Sequence, residues 1–246
     1  MDPTFLAAAA IVFVARLLSG ITGFGFALVA VPPLMLFYDP ARVVAVIILL
    51  ALATGWLLLV GVKRHVQTRT VLGLLPGAAA GSLVGTALLA SLDADLIQAL
   101  ASLAVVAFGL GHALGWSPEG AGGARAVALA GFASGALNTS VGMAGPPVVM
   151  LLTARQAPMH AFRATTMAYF LGVSLVGVVM LTAGGLVDKD DVLFGLSLLP
   201  PTLLGLVASQ GLVRHVSQEN FRRITLGLLL ATGVFGAAQA MWAMLG

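Results

Sequence analysis

The sequence predicts an all-α integral membrane protein of two inverted-topology repeats, each one broken or re-entrant helical hairpin plus three transmembrane helices. Three observations carry that expectation. The 246 residues are 60% hydrophobic and only 9% charged, with a mean hydropathy of +1.07, whereas a soluble domain is about a quarter charged. A Gly-broken apolar segment ending in a proline pair occurs twice: Ser19 and Gly20 lead to Pro32 and Pro33, and Ser134 and Gly135 lead to Pro146 and Pro147. Such matched interruptions in two hydrophobic halves are the usual sequence sign of a transporter built from repeats. The charges, finally, are segregated between successive loops.

The first repeat, residues 1–120, comprises a hairpin over 4–37 and spans over 41–62, 70–90 and 96–115. The second, residues 121–246, comprises a hairpin over 125–154 and spans over 163–183, 192–213 and 221–243. The six unbroken segments match the roughly 20 apolar residues that cross a bilayer. The broken segments leave pieces of about 12 to 15 residues, each too short to cross. A hairpin that enters and leaves on one side therefore competes with one long broken helix. A signal peptide is a third reading of the first segment, although Asp2 is its only leading charge and no positive n-region precedes it.

Charge separates the hairpin reading from the broken span. If each hairpin returns to its own side, one face collects Lys63, Arg64, Arg69, Arg125, Arg155, Arg163, Arg214, Arg222 and Arg223. The other collects Asp2, Asp39, Asp93, Asp95, Asp188, Asp190 and Asp191, with only Arg42 and Lys189 as cations. Spanning hairpins would erase this bias. The basic face is expected in the cytoplasm, with both termini outside.

Each half then makes an odd number of crossings, so the repeats are inverted. LLPGAAAG at 74–81 aligns without gaps to LLPPTLLG at 198–205, and the acidic loop around Asp188 to Asp191 is the expected home of the extra length in the second half. Gly73, Gly77, Gly81 and Gly85 recur every fourth residue and form a groove on one helix face. That groove serves close packing, within the fold or between copies in a homo-oligomer.

A turn inside the membrane leaves orphan N–H groups at the start of the second arm, at the positive end of its helix dipole. Such an end binds anions. The second break offers Asn138, Thr139 and Ser140 with Gly142 and Gly145; the first offers Ser19 and Thr22 with Gly20, Gly23 and Gly25. The competing reading of these residues is close helix packing and local bonding to carbonyls. Arg16 is the only charge well inside an apolar segment, and no acid lies in any segment to pair with it. Either a bound anion answers it, or it snorkels to water.

SGITGFGFALVAVPPLML, the second copy SGALNTSVGMAGPP and the downstream AFRATTMAYFL resemble the sulfite exporter TauE/SafE family of membrane permeases over essentially the whole chain. The resemblance implies a bacterial or archaeal inner-membrane protein with duplicated halves that exports sulfite, an organosulfonate or a related small anion. The Phe-Arg-Ala-Thr stretch at 162–165 carries part of the match. It puts Arg163 at the cytoplasmic mouth of the pathway, where a simple anchor at a helix start is the other reading.

What is absent narrows the classes. No GxxxxGK[ST] loop, HExxH motif or cysteine is present, so ATP hydrolysis, a metal cofactor and thiol chemistry are not expected, and no enzyme activity is. The net charge of +3 is too small to suggest nucleic acid. The expected partners are the lipid bilayer and a small anionic substrate carried by alternating access. An importer, a channel-like permease and a non-transporting membrane assembly subunit are the alternatives.

Overall fold

The computed structural model describes residues 2–113 and 123–213. They form α1 (Pro3–Thr22), α2 (Phe26–Leu34), α3 (Pro40–Val60), a 3-10 turn (Lys63–His65), α4 (Thr68–Ser91), α5 (Ala94–Ala113), α6 (Ala124–Val141), α7 (Gly145–Ala154), α8 (Met159–Ala183) and α9 (Lys189–Val213). Five of these, α1, α3, α4, α8 and α9, are long and apolar enough to cross a membrane. The expected span 221–243 lies outside the described residues, as do Arg214, Arg222 and Arg223.

Both broken segments are helix, break, shorter helix, as expected, but their arms are unequal. α1 has 20 residues and α6 has 18, against 9 in α2 and 10 in α7. The expectation of uniformly short arms is corrected for α1, which is long enough to cross. The interruptions are also made by glycine rather than proline. Gly23 and Gly25 both adopt the left-handed conformation, at φ 85° and 90°, and Gly142 does so at 74°, a region that Cβ-bearing residues enter at a cost. The proline pairs serve two different positions. Pro146 and Pro147 sit in the first turn of α7, where no helical N–H is lost; Pro32 and Pro33 lie inside α2, which ends one residue later.

Each long arm packs on a span from the other half of the chain. On α4, a Cβ added to Gly77, Gly81 or Gly85 would land on the carbonyl oxygens of Ala128, Phe132 and Ala136 of α6. On α6, Gly131 and Gly135 meet Leu74 O and Ala78 O in return, while Gly73 faces Val127. The glycine face is thus spent on α6 of the same chain, and hydroxyls tie the seam: Thr139 donates to Ser82 O at 2.8 Å and Ser82 to Gly135 O at 3.3 Å. α1 lies on α9 in the same manner, with Gly205 against Phe13 and Leu17 and Gly20 against Ser209. Small residues let backbones approach where lipid supplies no hydrophobic drive.

The short arms are the most enclosed elements. Phe26, Leu28, Ala30, Val31 and Leu34 of α2 and Val148, Val149, Leu151 and Leu152 of α7 are all buried. The long helices instead expose Leu72, Leu83, Leu204 and Val207, as lipid-facing surfaces do. Basic and acidic residues gather at opposite ends. At one end the His65 and His160 rings lie 5.5 Å apart, Arg155 donates to Thr70 at 3.4 Å and Thr165 accepts from the Gln67 N–H at 3.0 Å. At the other, Arg42 pairs with Asp191 at 3.0 Å and Tyr38 meets Phe194. Asp2 caps α1, and hydrogen bonding from Thr4 holds its carboxyl below the usual range.

Asp188 and Asp191 bond reciprocally to each other's N–H, at 2.7 and 3.2 Å, and so cap α9. The connection before it, 184–188, is shorter than 61–67, so the extra length of the second half is not in the acidic loop. It lies in the stretch from Pro147 to Met159, in α8, which has 25 residues against 21 in α3, and in the first turns of α9, where the acidic residues begin a longer run to Pro200 than α4 makes to Pro76. Removing the Asp191 carboxylate by Asp191→Ala breaks both the cap and the ion pair. Because Arg42 is 39% exposed, about 1 kcal/mol of the loss belongs to the cap and at most about 1 kcal/mol to the pair. A double-mutant cycle with Arg42→Ala in thermal unfolding separates the two.

Candidate functional site

The two breaks line one half-open cavity. α1 delivers Arg16 and Ser19 to it, the first break Gly23 to Gly25, and α2 its first three residues, Phe26, Ala27 and Leu28. From the second half come Asn138 of α6, Gly142 and Ala144 of the break, Gly145 of α7, and Met167, Phe170 and Ser174 of α8. α3 completes the wall with Ile47, Ile48, Ala51, Gly55 and Leu58. The volume is about 70 Å³, several times the roughly 10–15 Å³ that one water needs.

Arg16 dominates this space electrostatically. It is 4% exposed, and its Nε and Nη2 are buried without a hydrogen-bond partner. Its guanidinium carbon sits 4.6 Å from the centroid of the Phe26 ring. The ring face attracts the cation but gives Nε and Nη2 no oxygen acceptor. Among the described residues Asp191 is the only buried carboxylate, and it is paired with Arg42 at the acidic end. The snorkelling alternative does not describe a side chain this enclosed.

The start of α2 supplies a second set of donors. Gly25 caps it without a side-chain hydrogen bond, and the first amide to find a backbone carbonyl is Val29, bonded to Gly25 O at 3.0 Å. The N–H groups of Phe26, Ala27 and Leu28 are those a helix cannot satisfy itself. They carry the positive end of the α2 dipole, and all three residues line the cavity with Arg16. The start of α7 is poorer. Pro146 and Pro147 occupy its first turn and have no N–H to offer, so the two breaks do not present equal sets of donors.

Of the residues expected at the site, Arg16, Ser19, Gly23, Gly25, Asn138, Gly142 and Gly145 line the cavity. The others take different places. Gly20 faces Ser209. The Thr22 hydroxyl is within hydrogen-bond reach of Phe24 O at 2.7 Å and Leu18 O at 3.0 Å. Thr139 turns to α4, and Ser140 bonds back to Ala136 O at 2.7 Å. Asn138, Thr139 and Ser140 are consecutive in a helix and so project about 100° apart; only Asn138 reaches the cavity, its amide donating to Val173 O at 3.2 Å. Sequence reasoning missed Phe26, Ala27, Leu28 and Ser174. The first three act through backbone amides that apolar side chains conceal; Ser174 gave no signal.

Arg163 does not line the cavity. Its Nη2 donates to Gly20 O at 2.9 Å and its side chain lies against Gly23, while the Thr166 hydroxyl lies 3.2 Å from Gly23 O. Arg163 thereby places a cation on the negative, C-terminal end of α1, beside the positive start of α2. The buried Arg16 and the half-buried Arg163 therefore respond oppositely to truncation. Arg163→Ala strands the Gly20 carbonyl and is expected to destabilise the empty protein by about 1–3 kcal/mol. Arg16 has no such bond to lose. Thermal unfolding of both variants in one detergent checks the contrast.

A family model described as sulfite exporter TauE/SafE matches residues 8–236. A relative described as probable inner membrane transporter protein TsaS, from Comamonas testosteroni, is 28% identical over 187 residues, covering 73% of this chain and 75% of its own. No solved structure matches.

Proposed function

The chain belongs to the sulfite exporter TauE/SafE family of membrane transporters, and from that membership we propose that it carries a small anion, such as sulfite, an organosulfonate or a related carboxylate, out of the cell. The carrying observation is Arg16, a buried guanidinium with two unpartnered donors on the cavity that the start of α2 also lines. An arginine at membrane depth costs at least about 2.5–3.5 kcal/mol. A bound oxyanion answers that charge, and the amides of Phe26, Ala27 and Leu28 supply further donors without desolvating another ion.

In this proposal the two halves are inverted repeats that expose the site to each side in turn. The exchange of long arms, α1 on α9 and α6 on α4, supports that relation. So does the separation of Arg155 and His160 from Asp39 and Asp191 to opposite ends. The basic end is cytoplasmic, both termini are outside, and the membrane is the inner one, as the name of the Comamonas relative has it for that protein. An anion leaving an inside-negative cell gains about 2.3 kcal/mol per charge per 100 mV, so export needs no coupling ion.

The test is counterflow in proteoliposomes. Labelled anion outside should accumulate transiently against saturating unlabelled anion inside, with no proton or sodium gradient. Flux that requires such a gradient overturns the uncoupled mechanism, and flux that neither saturates nor responds to trans anion makes the protein a channel.

A further inference from the structure

The composition of the cavity wall bears on the charge of the anion. Arg16 is the only charged side chain on the cavity; no carboxylate or imidazole lines it from α1, α2, α3, α6, α7 or α8 among the described residues. Arg163 turns its Nη2 to Gly20 O and is not on the wall. The remaining polar side chains on the wall are Ser19, Asn138 and Ser174, and the Ser19 hydroxyl is already given to Arg16 O at 3.2 Å. The rest is apolar, with the rings of Phe24, Phe26 and Phe170 prominent.

One fixed positive charge neutralises one negative charge. A second negative charge in the same cavity has no cation to meet it, and the dipole end of α2 supplies only a partial one. Burying an uncompensated charge is strongly unfavourable, whereas an apolar substituent in place of a charged oxygen meets carbon and ring surfaces suited to it. Resting on the anion-transport reading, we propose that the cavity binds singly charged oxyanions bearing an apolar substituent and rejects the doubly charged form of the same head group. Sulfite, which has no such substituent, would enter only as its monoanion and meet the apolar wall less well.

Methanesulfonate and sulfate test this closely, because they are near-isosteres in which a methyl group replaces one charged oxygen. Methylphosphonate adds a comparison within one molecule, since its second ionisation falls near neutral pH while a guanidinium stays charged throughout. Thermal shifts of the purified full chain are measured with each anion at matched ionic strength in a sulfonate-free buffer. The expected result is stabilisation by methanesulfonate at a concentration at least tenfold below that required of sulfate. Stabilisation by methylphosphonate should weaken as pH rises through its second ionisation, while that by methanesulfonate stays flat. Sulfate acting at equal or lower concentration, or methylphosphonate strengthening as it becomes a dianion, overturns the selectivity while leaving anion binding intact. Absence of any shift with all three anions overturns the anion site, and this proposal with it.

Discussion

Replacing Arg16 by methionine is expected to abolish anion-dependent stabilisation and carrier-mediated flux while leaving the empty protein at least as stable as the wild type. Both halves of that result follow from the same two atoms. Nε and Nη2 are buried and unpartnered, so the empty protein bears an uncompensated cost that a methionine of similar length does not. A bound oxyanion turns those donors into charge-assisted hydrogen bonds. Removing one partner of such a buried pair costs about 2–5 kcal/mol, or roughly 30-fold to several thousand-fold in affinity at about 1.4 kcal/mol per decade. Arg16→Lys should fall between, because a point charge replaces a two-pronged donor. Thermal unfolding with and without anion, beside flux in proteoliposomes, reads both effects. A variant that transports normally removes Arg16 from the site.

The second large effect is structural. Gly81→Val is expected to prevent folding or to lower stability by more than about 3 kcal/mol, beyond the usual 1–3 kcal/mol of an overpacked core. The obstacle is backbone: a Cβ at Gly81 would land on Phe132 O and lie 2.8 Å from the Ala136 N, and neither atom can swing aside as a side chain end does. α4 and α6 would have to part, taking the contacts of Gly77, Gly85, Gly131 and Gly135 and the Thr139 to Ser82 bond with them. Gly61→Ala is the control, since nothing lies within 4 Å of the added carbon. Yield, monodispersity in detergent and thermal midpoint compare the two; an unchanged midpoint for Gly81→Val would mean that the seam is looser than described.

Much of this fold is legible without coordinates because membrane helices obey few rules. Apolar length placed α3, α4, α8 and α9 within a few residues of their ends. Glycine followed by a proline pair located both breaks, although the glycines rather than the prolines make them. The charge count put Asp39 and Asp191 on one face and Arg155 on the other, and Asp191 pairs with Arg42 near the start of α3 while Arg155 meets Thr70 near the start of α4. Tertiary relations were the part that stayed hidden. A glycine ladder shows that something approaches closely, but only the packing shows that α6 does. A run of Asn-Thr-Ser shows polarity, but helical rotation sends Thr139 to α4 and leaves Asn138 on the cavity. Arg16 was visible as a buried charge without a partner, whereas the amides of Phe26, Ala27 and Leu28 were not, since backbone donors leave no mark in a sequence.

The position of a bound anion decides whether Arg16 and the start of α2 form the site. Anomalous diffraction from crystals of the full chain grown with bromomethanesulfonate would place the bromine, and the density around it the sulfonate. Sulfonate oxygens are expected within hydrogen-bond reach of Arg16 Nε and Nη2 and of the Phe26, Ala27 and Leu28 amides, with the bromine against the apolar wall. An anion found instead at the Thr139 and Ser140 side of α6, or at Arg163, with Arg16 still unpartnered, would contradict that expectation.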